Sequence, residues 1–347
     1  MLLAAAAAFA DDVPQKAAAV DEKLERAIRD SVPQCNGSQI MQADFERTLP
    51  SGMKATLIQI DSERPQCKSQ HVAVTTTSGG FYLGLPWFLD EDKGTIEEKL
   101  KSFMWRNMQE NVTPVVDRTR TPYGLYKVTL VETTERGKLP MEGEIDPNGS
   151  VFFLGHFRSM SEDVRTSRTK MYEPFIAASP SKGATNPKIT IVEFSDFECP
   201  SCMHASAYMD PILTKYGDKV RYVRYDLPLV SMHPWALSAA VAGRAVYRQK
   251  PELFWEYKKQ VYSNQDKLNA FNFDEWAENF AKDHDLDVAK YEADVQSAEL
   301  RDQLLKGAGF ALSNDIRSTP SYMINGIIVD AGNGGEDLDK YVASQLK

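Results

Sequence analysis

The amino-acid sequence predicts an α/β domain in the C-terminal half of the chain, preceded by an α+β region. An apolar, β-branched run, Ile189–Phe194, leads into a helix that begins at two cysteines. A later strand pattern, Lys219–Leu229, is followed by a long helical region and by two strands joined at Asn325-Gly326, a strong hairpin signal. This order of elements is typical of a mixed α/β domain. The N-terminal half instead shows two helices, each followed by alternating strands.

Length and charge limit the classes of protein to consider. The chain has 347 residues, which is too long for one average domain and predicts two or three. Its formal net charge is −9, and no run of Lys and Arg is present. Because phosphates are bound by basic patches, we do not expect nucleic acid to be the main partner.

The first ten residues are interpreted as the remnant of a secretory signal peptide. Met1–Ala10 is the only long apolar stretch, and it is far shorter than the ~20 residues of a transmembrane helix. It ends in Ala8-Phe9-Ala10, which fits an A-x-A cleavage site, although the usual basic segment in front is missing. An Ala-rich terminus without a targeting role is the alternative. The signal interpretation predicts a periplasmic or otherwise exported protein, in a compartment where disulfides persist.

The N-terminal half contains a weak internal duplication, with α+β units predicted at residues 18–92 and 93–162. Each unit begins with an amphipathic helix, Asp21–Val32 in the first and Ile96–Met108 in the second, and continues with a similar β pattern. Glycines recur at a nearly constant offset; the matching pairs are Gly52 with Gly124 and Gly84 with Gly155. We therefore predict two copies of a helix plus an antiparallel meander. Chance similarity between two amphipathic segments is the alternative.

Composition marks a boundary between the two halves. Residues 163–187 include the stretch SPSKGATNP, whose Ser, Pro and Gly residues are typical of a domain linker. The segment just before this stretch has the pattern of a connecting helix. The predicted α/β domain then occupies residues 188–347, with a helical insertion at about residues 233–314.

Two cysteines separated by two residues, Cys199 and Cys202, form the candidate reactive site. With Cys199 at the N-cap, Pro200 occupies the first helical position, where its fixed φ fits and its missing N–H has no cost. Unpaired backbone N–H groups and the helix dipole then favour the thiolate of Cys199 and lower its pKa. Ser201 and Cys202 complete the first turn, which brings the two sulfurs within bonding reach. We predict that Cys199 attacks and that Cys202 resolves the mixed disulfide.

Metal binding and a purely structural disulfide compete with this redox interpretation. A structural zinc site needs four ligands, so the motif supplies only half of one. The other ligands would be Cys35, Cys67 and His71 or His156, in a separate region with irregular spacing, which disfavours zinc. A short structural disulfide is disfavoured because the motif opens a helix directly after an apolar strand. We therefore expect no metal at this site.

Several motifs carry a resemblance to a known family. In order along the chain, IVEFSDFECPSC, DKVRYVRYDLPL with HPWALSAA, and STPSYMING resemble the thioredoxin superfamily, specifically its DsbA-like thiol–disulfide oxidoreductases. The resemblance covers about residues 188–347 and implies a thioredoxin-like fold with a helical insertion. It also implies a cis Thr319-Pro320 bond facing the active disulfide, where the Thr319 backbone would pair with an extended substrate. A trans turn proline is the alternative if Pro320 is considered alone.

The resemblance further implies a role for an acidic residue in the strand before the cysteines. Glu193 lies where the family often has a buried acid that relays a proton to or from the second cysteine. An acid on a solvated face is the alternative. Asp196 and Glu198 flank the site and oppose thiolate formation, which leaves the redox potential open. His233 and His204 are weaker candidates, for helix capping or packing and for thiolate stabilisation respectively.

The other two cysteines, Cys35 and Cys67, are expected to form a structural disulfide in the first repeat. A loop of this length contributes roughly 3–4 kcal/mol in the chain-entropy model. A second redox pair is the alternative, but neither cysteine has the helix-start context of the reactive motif. We expect the N-terminal half to be a binding or dimerisation module, since its pattern is similar to the small N-terminal domains of exported disulfide isomerases.

Together these patterns predict an exported thiol–disulfide oxidoreductase that exchanges the Cys199–Cys202 disulfide with cysteines of exported client proteins, acting as an oxidase. The resemblance implies re-oxidation by a membrane quinone-linked thiol oxidase. Thiol exchange needs no further cofactor, and the sequence shows no flavin or nicotinamide motif. A dimeric disulfide isomerase that uses the N-terminal half to form a homodimer is the first alternative. A non-catalytic chaperone or binding module with structural cysteines is the second.

Overall fold

The computed structural model of the chain describes residues 18–32, 37–63, 68–329 and 335–346. The predicted signal remnant at residues 1–10 lies outside the described residues, and so do Cys35 and Cys67, the predicted structural disulfide.

The described residues form two compact units. The first consists of the described part of Met1–Thr133, together with Leu139–Ser167 and Gly309–Arg317. The second consists of Thr134–Lys138, Arg168–Ala308 and the described part of Ser318–Lys347.

The N-terminal half is built from two helix-and-strand repeats. The first repeat contains β1 Ala18–Ala19, α1 Glu22–Arg29, β2 Gln39–Asp44, β3 Met53–Asp61, β4 Ser69–Thr76, β5 Gly80–Leu83 and β6 Trp87–Phe88. The second repeat contains α2 Ile96–Met108, β7 Val112–Arg120, β8 Tyr126–Thr134, β9 Gly137–Ile145, β10 Val151–Leu154 and β11 Arg158–Ser159. Each helix starts at a capping side chain. The Asp21 carboxylate accepts from the Leu24 N–H, and Thr95 forms a reciprocal capping box with Glu98.

Each repeat contributes a short strand to the sheet of the other. One sheet has the order β1-β2-β3-β4-β5-β11, and the other has the order β6-β10-β9-β8-β7. In the second sheet, Trp87 of β6 is paired with Phe152 of β10. In the first sheet, Arg158 of β11 is paired with Phe81 of β5. The described residues of both predicted repeats lie in the first unit, except for Thr134–Lys138, which belong to the second.

An apolar core joins the two repeats. Its buried members come from the first repeat (Leu49, Val72, Val74, Tyr82) and from the second (Leu125, Val151, Phe153, Phe157). The ring of Tyr82 lies 5.2 Å from that of Phe153 and 5.4 Å from that of Phe157, measured between centroids. Aromatic contacts of this kind add to the free energy gained by burying apolar area.

The second unit has a central five-stranded sheet and a set of inserted helices. Its strands are β12 Ser181–Gly183, β13 Ile189–Ser195, β14 Val220–Asp226, β15 Ser321–Ile324 and β16 Ile327–Val329. The helices after the first two strands are α4 Pro200–Ala205, α5 Met209–Tyr216, α6 Ala236–Gln249, α7 Leu253–Ser263, α8 Phe273–Asp283, α9 Val288–Val295, α10 Ala298–Ser313 and α11 Glu336–Gln345. The predicted linker, residues 163–187, contains β12 and the helix α3 Val164–Ala177.

The sheet of the second unit combines parallel and antiparallel pairing. Its order is β12-β14-β13-β15-β16, and the central pair β13–β14 is parallel. β15 and β16 form a hairpin around Asn325 and Gly326, which have φ of 47° and 82° as a tight two-residue turn requires. None of the helices in the described part of the chain has the length and hydropathy needed to span a lipid bilayer.

Two apolar clusters pack around this sheet. One is formed largely by α6, α7, α8 and α9 and includes both cysteines of the CxxC motif. The other contains residues of the sheet together with α5 and α11. The CxxC motif therefore lies beside the inserted helices, at the end of a buried strand.

Candidate active site

The CxxC motif opens helix α4 directly after strand β13. Cys199 is the N-cap, with an extended backbone (φ −71°, ψ 120°), and Pro200 occupies the first helical turn. The Cys199 carbonyl accepts hydrogen bonds from the backbone N–H groups of Cys202 (3.1 Å) and Met203 (3.2 Å). This geometry holds the two cysteines in a single helical turn, with Cys199 before the helix and Cys202 inside it.

Both cysteines are free thiols in this structure, and both are buried. The exposed fraction is 7% for Cys199 and 0% for Cys202. The Cys199 Sγ lies 3.5 Å from the carbonyl oxygen of Thr319, and the peptide bond from Thr319 to Pro320 is cis. The Cys202 Sγ accepts a hydrogen bond of 3.4 Å from the backbone N–H of Asp196. The structure thus brings together the motif and the Thr319-Pro320 pair, which the sequence separates by 120 residues.

The two sulfurs differ in acidity although they share one turn. A hydrogen bond from Cys202, aided by contact with Thr319, outweighs burial and lowers the pKa of Cys199 to about 5. Burial and the neighbouring Cys199 raise the pKa of Cys202 well above that of an ordinary thiol. At neutral pH the reduced pair is therefore a Cys199 thiolate beside a Cys202 thiol, and the thiolate is the nucleophilic form.

The residues between the cysteines face solvent. Pro200 and Ser201 are exposed, so a partner can approach the motif from this side. Gln265 holds the segment that leads into the motif, because its side-chain amide donates to the carbonyl oxygens of Phe197 (2.8 Å) and Cys199 (3.2 Å). His204 is exposed, and its ring Nδ1 lies within hydrogen-bond distance of the Pro200 carbonyl oxygen in the same helix.

Glu193 is fully buried and belongs to a polar network. Its Oε2 accepts a hydrogen bond of 2.5 Å from the Tyr222 hydroxyl and lies 3.7 Å from the Lys258 Nζ. Lys258 in turn donates to the Tyr222 oxygen over 2.9 Å. The Glu193 Oε1 has no hydrogen-bond partner, and its charge is among the influences that raise the pKa of Cys202. The position therefore suits an acid that exchanges a proton with Cys202.

Lys258 and Tyr222 were not predicted as site residues. The spacing of Phe254, Tyr257, Val261 and Tyr262 on α7 carries a signal, because it places Lys258 on the same apolar helix face. A lysine on such a face needs a buried partner, since burying an unpaired charge costs free energy. Nothing in the local pattern indicates that the partner is Glu193 on a distant strand.

The flanking acids are bound by neighbouring groups. The buried Asp196 carboxylate accepts from the ring of His233 (2.8 Å) and from the backbone N–H of Leu229 (2.8 Å). The hydrogen bond to Asp196 raises the pKa of His233. Glu198 accepts from the backbone N–H of Trp235 (2.7 Å). The expected opposition of Asp196 to the thiolate is present in direction, because its charge acts to raise the pKa of Cys199.

The domain that carries this geometry was compared with known proteins. Residues 177–344 match the family model described as Thioredoxin. This stretch is a thioredoxin-like domain. The fold class and the family resemblance expected from the motifs are confirmed for this part of the chain.

The thioredoxin-like domain is similar to parts of curated proteins that differ in length. A probable disulfide bond formation protein D from Bacillus anthracis is 27% identical over 171 residues, covering 48% of this chain and 78% of that protein. An Na(+)/H(+) antiporter, NhaA 1, from Mycolicibacterium vanbaalenii is 31% identical over 150 residues. That match covers 42% of this chain and only 23% of the antiporter, so the similarity concerns a small part of the longer protein.

Solved structures also match about half of the chain. The oxidised form of BdbD from Bacillus subtilis has 19% identity and a TM-score of 0.44, and the match covers 49% of this chain and 94% of BdbD. The thiol-disulfide exchange protein alpha-DsbA2 from Wolbachia pipientis has 19% identity and a TM-score of 0.45, with 54% and 98% coverage.

Proposed function

We propose that the thioredoxin-like domain is a thiol–disulfide oxidoreductase that oxidises cysteine pairs of client proteins. The observation that carries this proposal is the contrast between the two sulfurs. Cys199, at the helix start, has a pKa lowered to about 5, whereas the pKa of the buried Cys202 is raised. A reactive thiolate next to a thiol that is protonated until it is needed suits stepwise disulfide exchange.

The reaction starts from the disulfide between Cys199 and Cys202. A client thiolate attacks the Cys199 sulfur, a mixed disulfide forms, and Cys202 leaves as a thiolate that takes up a proton. A second client thiolate then attacks the client sulfur of the mixed disulfide and releases the Cys199 thiolate. The client loses two electrons and gains a disulfide, and the CxxC pair gains the two electrons.

The acidity of Cys199 favours the oxidising direction. The thiolate exists only in the reduced pair, so every contact that stabilises the thiolate also stabilises the reduced form. A stabilised reduced form makes the disulfide form a stronger oxidant of clients. This reasoning supports an oxidase over a reductant.

We infer that the Thr319-Pro320 pair receives the client backbone. The Thr319 carbonyl lies 3.5 Å from the Cys199 sulfur, so a chain that pairs with Thr319 would carry its own sulfur close to the Cys199 sulfur. Short β-augmentation of this kind binds through main-chain hydrogen bonds and tolerates many client sequences. The exposed Pro200 and Ser201 leave one side of the motif open to the client.

The proposal also includes export and a re-oxidising partner. The reaction leaves the CxxC pair reduced, so a further disulfide donor must act after each cycle. We propose that the donor is a membrane quinone-linked thiol oxidase and that the protein acts in an exported compartment such as the periplasm. The family resemblance and the apolar Met1–Ala10 stretch support this part of the proposal.

The function is tested with a reduced model peptide that contains two cysteines and a fluorescent reporter of disulfide formation. The purified, oxidised protein is mixed with the peptide, and the rate of disulfide formation is measured. We expect Cys199→Ser to abolish oxidation. Cys202→Ala cannot form the Cys199–Cys202 disulfide, so it is mixed with the oxidised peptide instead. Its Cys199 thiolate should attack the peptide disulfide, release a peptide thiolate and stay joined to the peptide in a mixed disulfide that is visible by mass spectrometry.

A double variant, Cys35→Ser with Cys67→Ser, is the matched control, because it removes the other two cysteines of the chain. It is expected to oxidise the peptide at the parent rate. Oxidation at the parent rate by the Cys199→Ser variant would show that the CxxC pair is not the reactive pair. In that case the non-catalytic binding module would become the better hypothesis.

A further inference from the structure

A second site lies in the first unit, away from every residue used in the proposed reaction. It is a pocket of about 410 Å³ between strands β8 and β9 and the segment after β10. Its lining includes two glutamates and a histidine, Glu142, Glu144 and His156, and two aromatic residues, Tyr123 and Phe157, form part of its wall. A volume of this size accepts a side chain or a small molecule.

The internal duplication shows that the three ionisable groups are not required by the fold. In the first repeat, Val74 is paired with Tyr82; in the second, Glu144 is paired with Phe153 at the corresponding place. Val74 is completely buried in the apolar core, so the fold accepts a hydrocarbon side chain at this register.

Glu142 and His156 also correspond to apolar residues of the first repeat. The N–H of Gly84 donates to Val72, and the N–H of Gly155 donates to Glu142, so Val72 and Glu142 correspond. The residue after each glycine is Leu85 in the first repeat, and His156 in the second. Valine, valine and leucine in one repeat thus stand where the other has two glutamates and a histidine.

The charges of this cluster interact with one another. The His156 Nε2 lies 3.0 Å from the Glu142 Oε2, and the Nδ1 lies 3.6 Å from the Glu144 Oε1. Burial disfavours the charged imidazole, but the two carboxylates outweigh it and raise the pKa of His156 to about 9. The His156 imidazole is therefore charged at neutral pH, and it is paired with Glu142.

Glu144 has unused hydrogen-bonding capacity in this pocket. The residue is 3% exposed, and its Oε2 is buried with no hydrogen-bond partner among the described residues. A buried acceptor without a donor destabilises the folded protein, and more so when the acceptor is charged. Such a cost at a position where the fold accepts valine points to a donor that arrives with a ligand.

We propose that this pocket binds a guanidinium group, borne by an arginine residue of a polypeptide or by a small arginine-like molecule. A guanidinium group donates several hydrogen bonds in one plane to carboxylates and packs its faces on aromatic rings. The pocket offers Glu144 and Glu142 as acceptors and Tyr123 and Phe157 as aromatic walls.

Other ligand classes fit less well. Within the described part of the chain, no group of three or more His, Cys, Asp and Glu side chains has an arrangement that would hold a metal ion. An anion would meet two carboxylates in the same pocket. Lys127 also lines the pocket; its side chain is exposed, and its charge acts on Glu142, so it opposes a cationic ligand from the rim.

The test uses Nα-acetyl-arginine methylamide as the probe and the citrulline analogue, which has the same shape but no charge, as its control. Isothermal titration with the full chain is expected to show saturable binding of the arginine probe, with a Kd of about 1 mM or below, and at least tenfold weaker binding of the citrulline probe. A peptide with a central arginine that binds more tightly than the arginine probe would identify a polypeptide as the source of the guanidinium group. Equal binding of the peptide and the arginine probe would identify a small molecule as the source.

The first repeat supplies the residue for the main variant. Glu144→Val is expected to weaken arginine binding at least tenfold, whereas Lys127→Gln, which removes a positive charge from the rim, is expected to strengthen it. Glu46→Gln removes an exposed carboxylate outside the pocket and is expected to leave binding unchanged. If a core variant fails to fold, Glu142→Gln at the exposed rim still tests the site, with an expected loss of several-fold.

Three results would overturn the proposal. They are no saturable binding of the arginine probe, equal binding of the arginine and citrulline probes, and unchanged binding by folded Glu144→Val and Glu142→Gln variants. The outcome is independent of thiol chemistry, since the probes contain no sulfur and none of the variants changes a cysteine.

Discussion

At the scale of single residues, the buried polar contacts of Glu193 bear on whether it can exchange a proton with Cys202. Glu193 accepts from Tyr222, lies close to Lys258 and leaves one carboxylate oxygen without a partner. Lys258 is buried, and burial lowers its pKa, whereas the nearby Glu193 acts in the opposite direction. We propose that this network passes a proton to and from Cys202.

Replacing Glu193 by Gln is expected to slow the steps in which Cys202 gains or loses a proton, on the order of tenfold or more. The first attack, in which Cys202 leaves and takes up a proton, should therefore slow in stopped-flow and quench experiments, whereas the second attack, which does not involve Cys202, should change little. Because the substitution leaves Lys258 buried without its anion, Glu193→Gln with Lys258→Met serves as the stability control. A double variant with parent stability and the parent rate of mixed-disulfide formation would exclude the relay.

Glu110, which follows helix α2, should make the stability of the first unit depend on pH. Burial and the nearby Glu132 raise the pKa of Glu110 from 4.5 to about 7. The folded state therefore keeps a proton that the unfolded state releases near pH 4.5, and this contribution to stability is lost as the pH rises towards 7 and above. The free energy of unfolding should fall by about 2 kcal/mol between pH 5 and pH 8.

Urea denaturation followed by amide exchange in the first unit measures this slope. The Glu110→Gln variant, which has no titrating group at this position, should show a smaller decrease over the same pH range. A parent protein whose first unit becomes more stable from pH 5 to pH 8 would contradict the raised pKa.

At the scale of elements, the exchanged strands β6 and β11 hold the two repeats together. Trp87 in β6 is 7% exposed, and its ring lies 5.5 Å from that of Phe103 and 5.2 Å from that of Phe152, both in the other repeat. Trp87→Ala is expected to cost about 3–5 kcal/mol and to speed amide exchange in α2 and β10.

Trp105 gives a matched control for this substitution. It lies on α2 and is 59% exposed, so Trp105→Ala should change stability by no more than about 0.5 kcal/mol. If Trp87→Ala left exchange in the second repeat at the parent rate, the exchanged strand would not be a stabilising contact between the repeats.

The elements also show what the sequence can and cannot reveal. The Asn325-Gly326 hairpin and the helix start at Cys199-Pro200 have local signals, because turn geometry and helix caps depend on neighbouring residues. The exchange of β6 and β11 has no such signal. Each of these strands has only two residues, and each pairs with a strand of the other repeat.

The candidate site also combines residues that the sequence predicts with residues that it does not. Motifs predict Cys199, Cys202 and Pro320 as site residues, and the family resemblance predicts Glu193. The partners of the site acids are missed, because His233 meets Asp196 and Lys258 meets Glu193 only through the tertiary fold. A buried lysine on an apolar helix face signals that a partner exists but does not identify it.

At the scale of the whole molecule, the duplication bears on the dimeric isomerase alternative. That alternative uses the N-terminal half to join two chains. In this structure the two repeats exchange strands within one chain, so a pairing of similar units is already complete in a single copy. We expect light scattering to give a monomer of 38.9 kDa at micromolar concentration. A stable mass of twice this value would favour the isomerase.

The acidity of Cys199 tests the central claim most directly. The reduced protein is titrated from pH 3 to pH 10 while thiolate absorbance near 240 nm is recorded, with Cys35 and Cys67 replaced by Ser and the additional variant Cys199→Ser as the reference. The structure predicts a single thiolate with a pKa of about 5, which is missing from the Cys199→Ser reference. A thiolate that forms only near pH 9, or one that persists without Cys199, would contradict the assignment of Cys199 as the attacking sulfur.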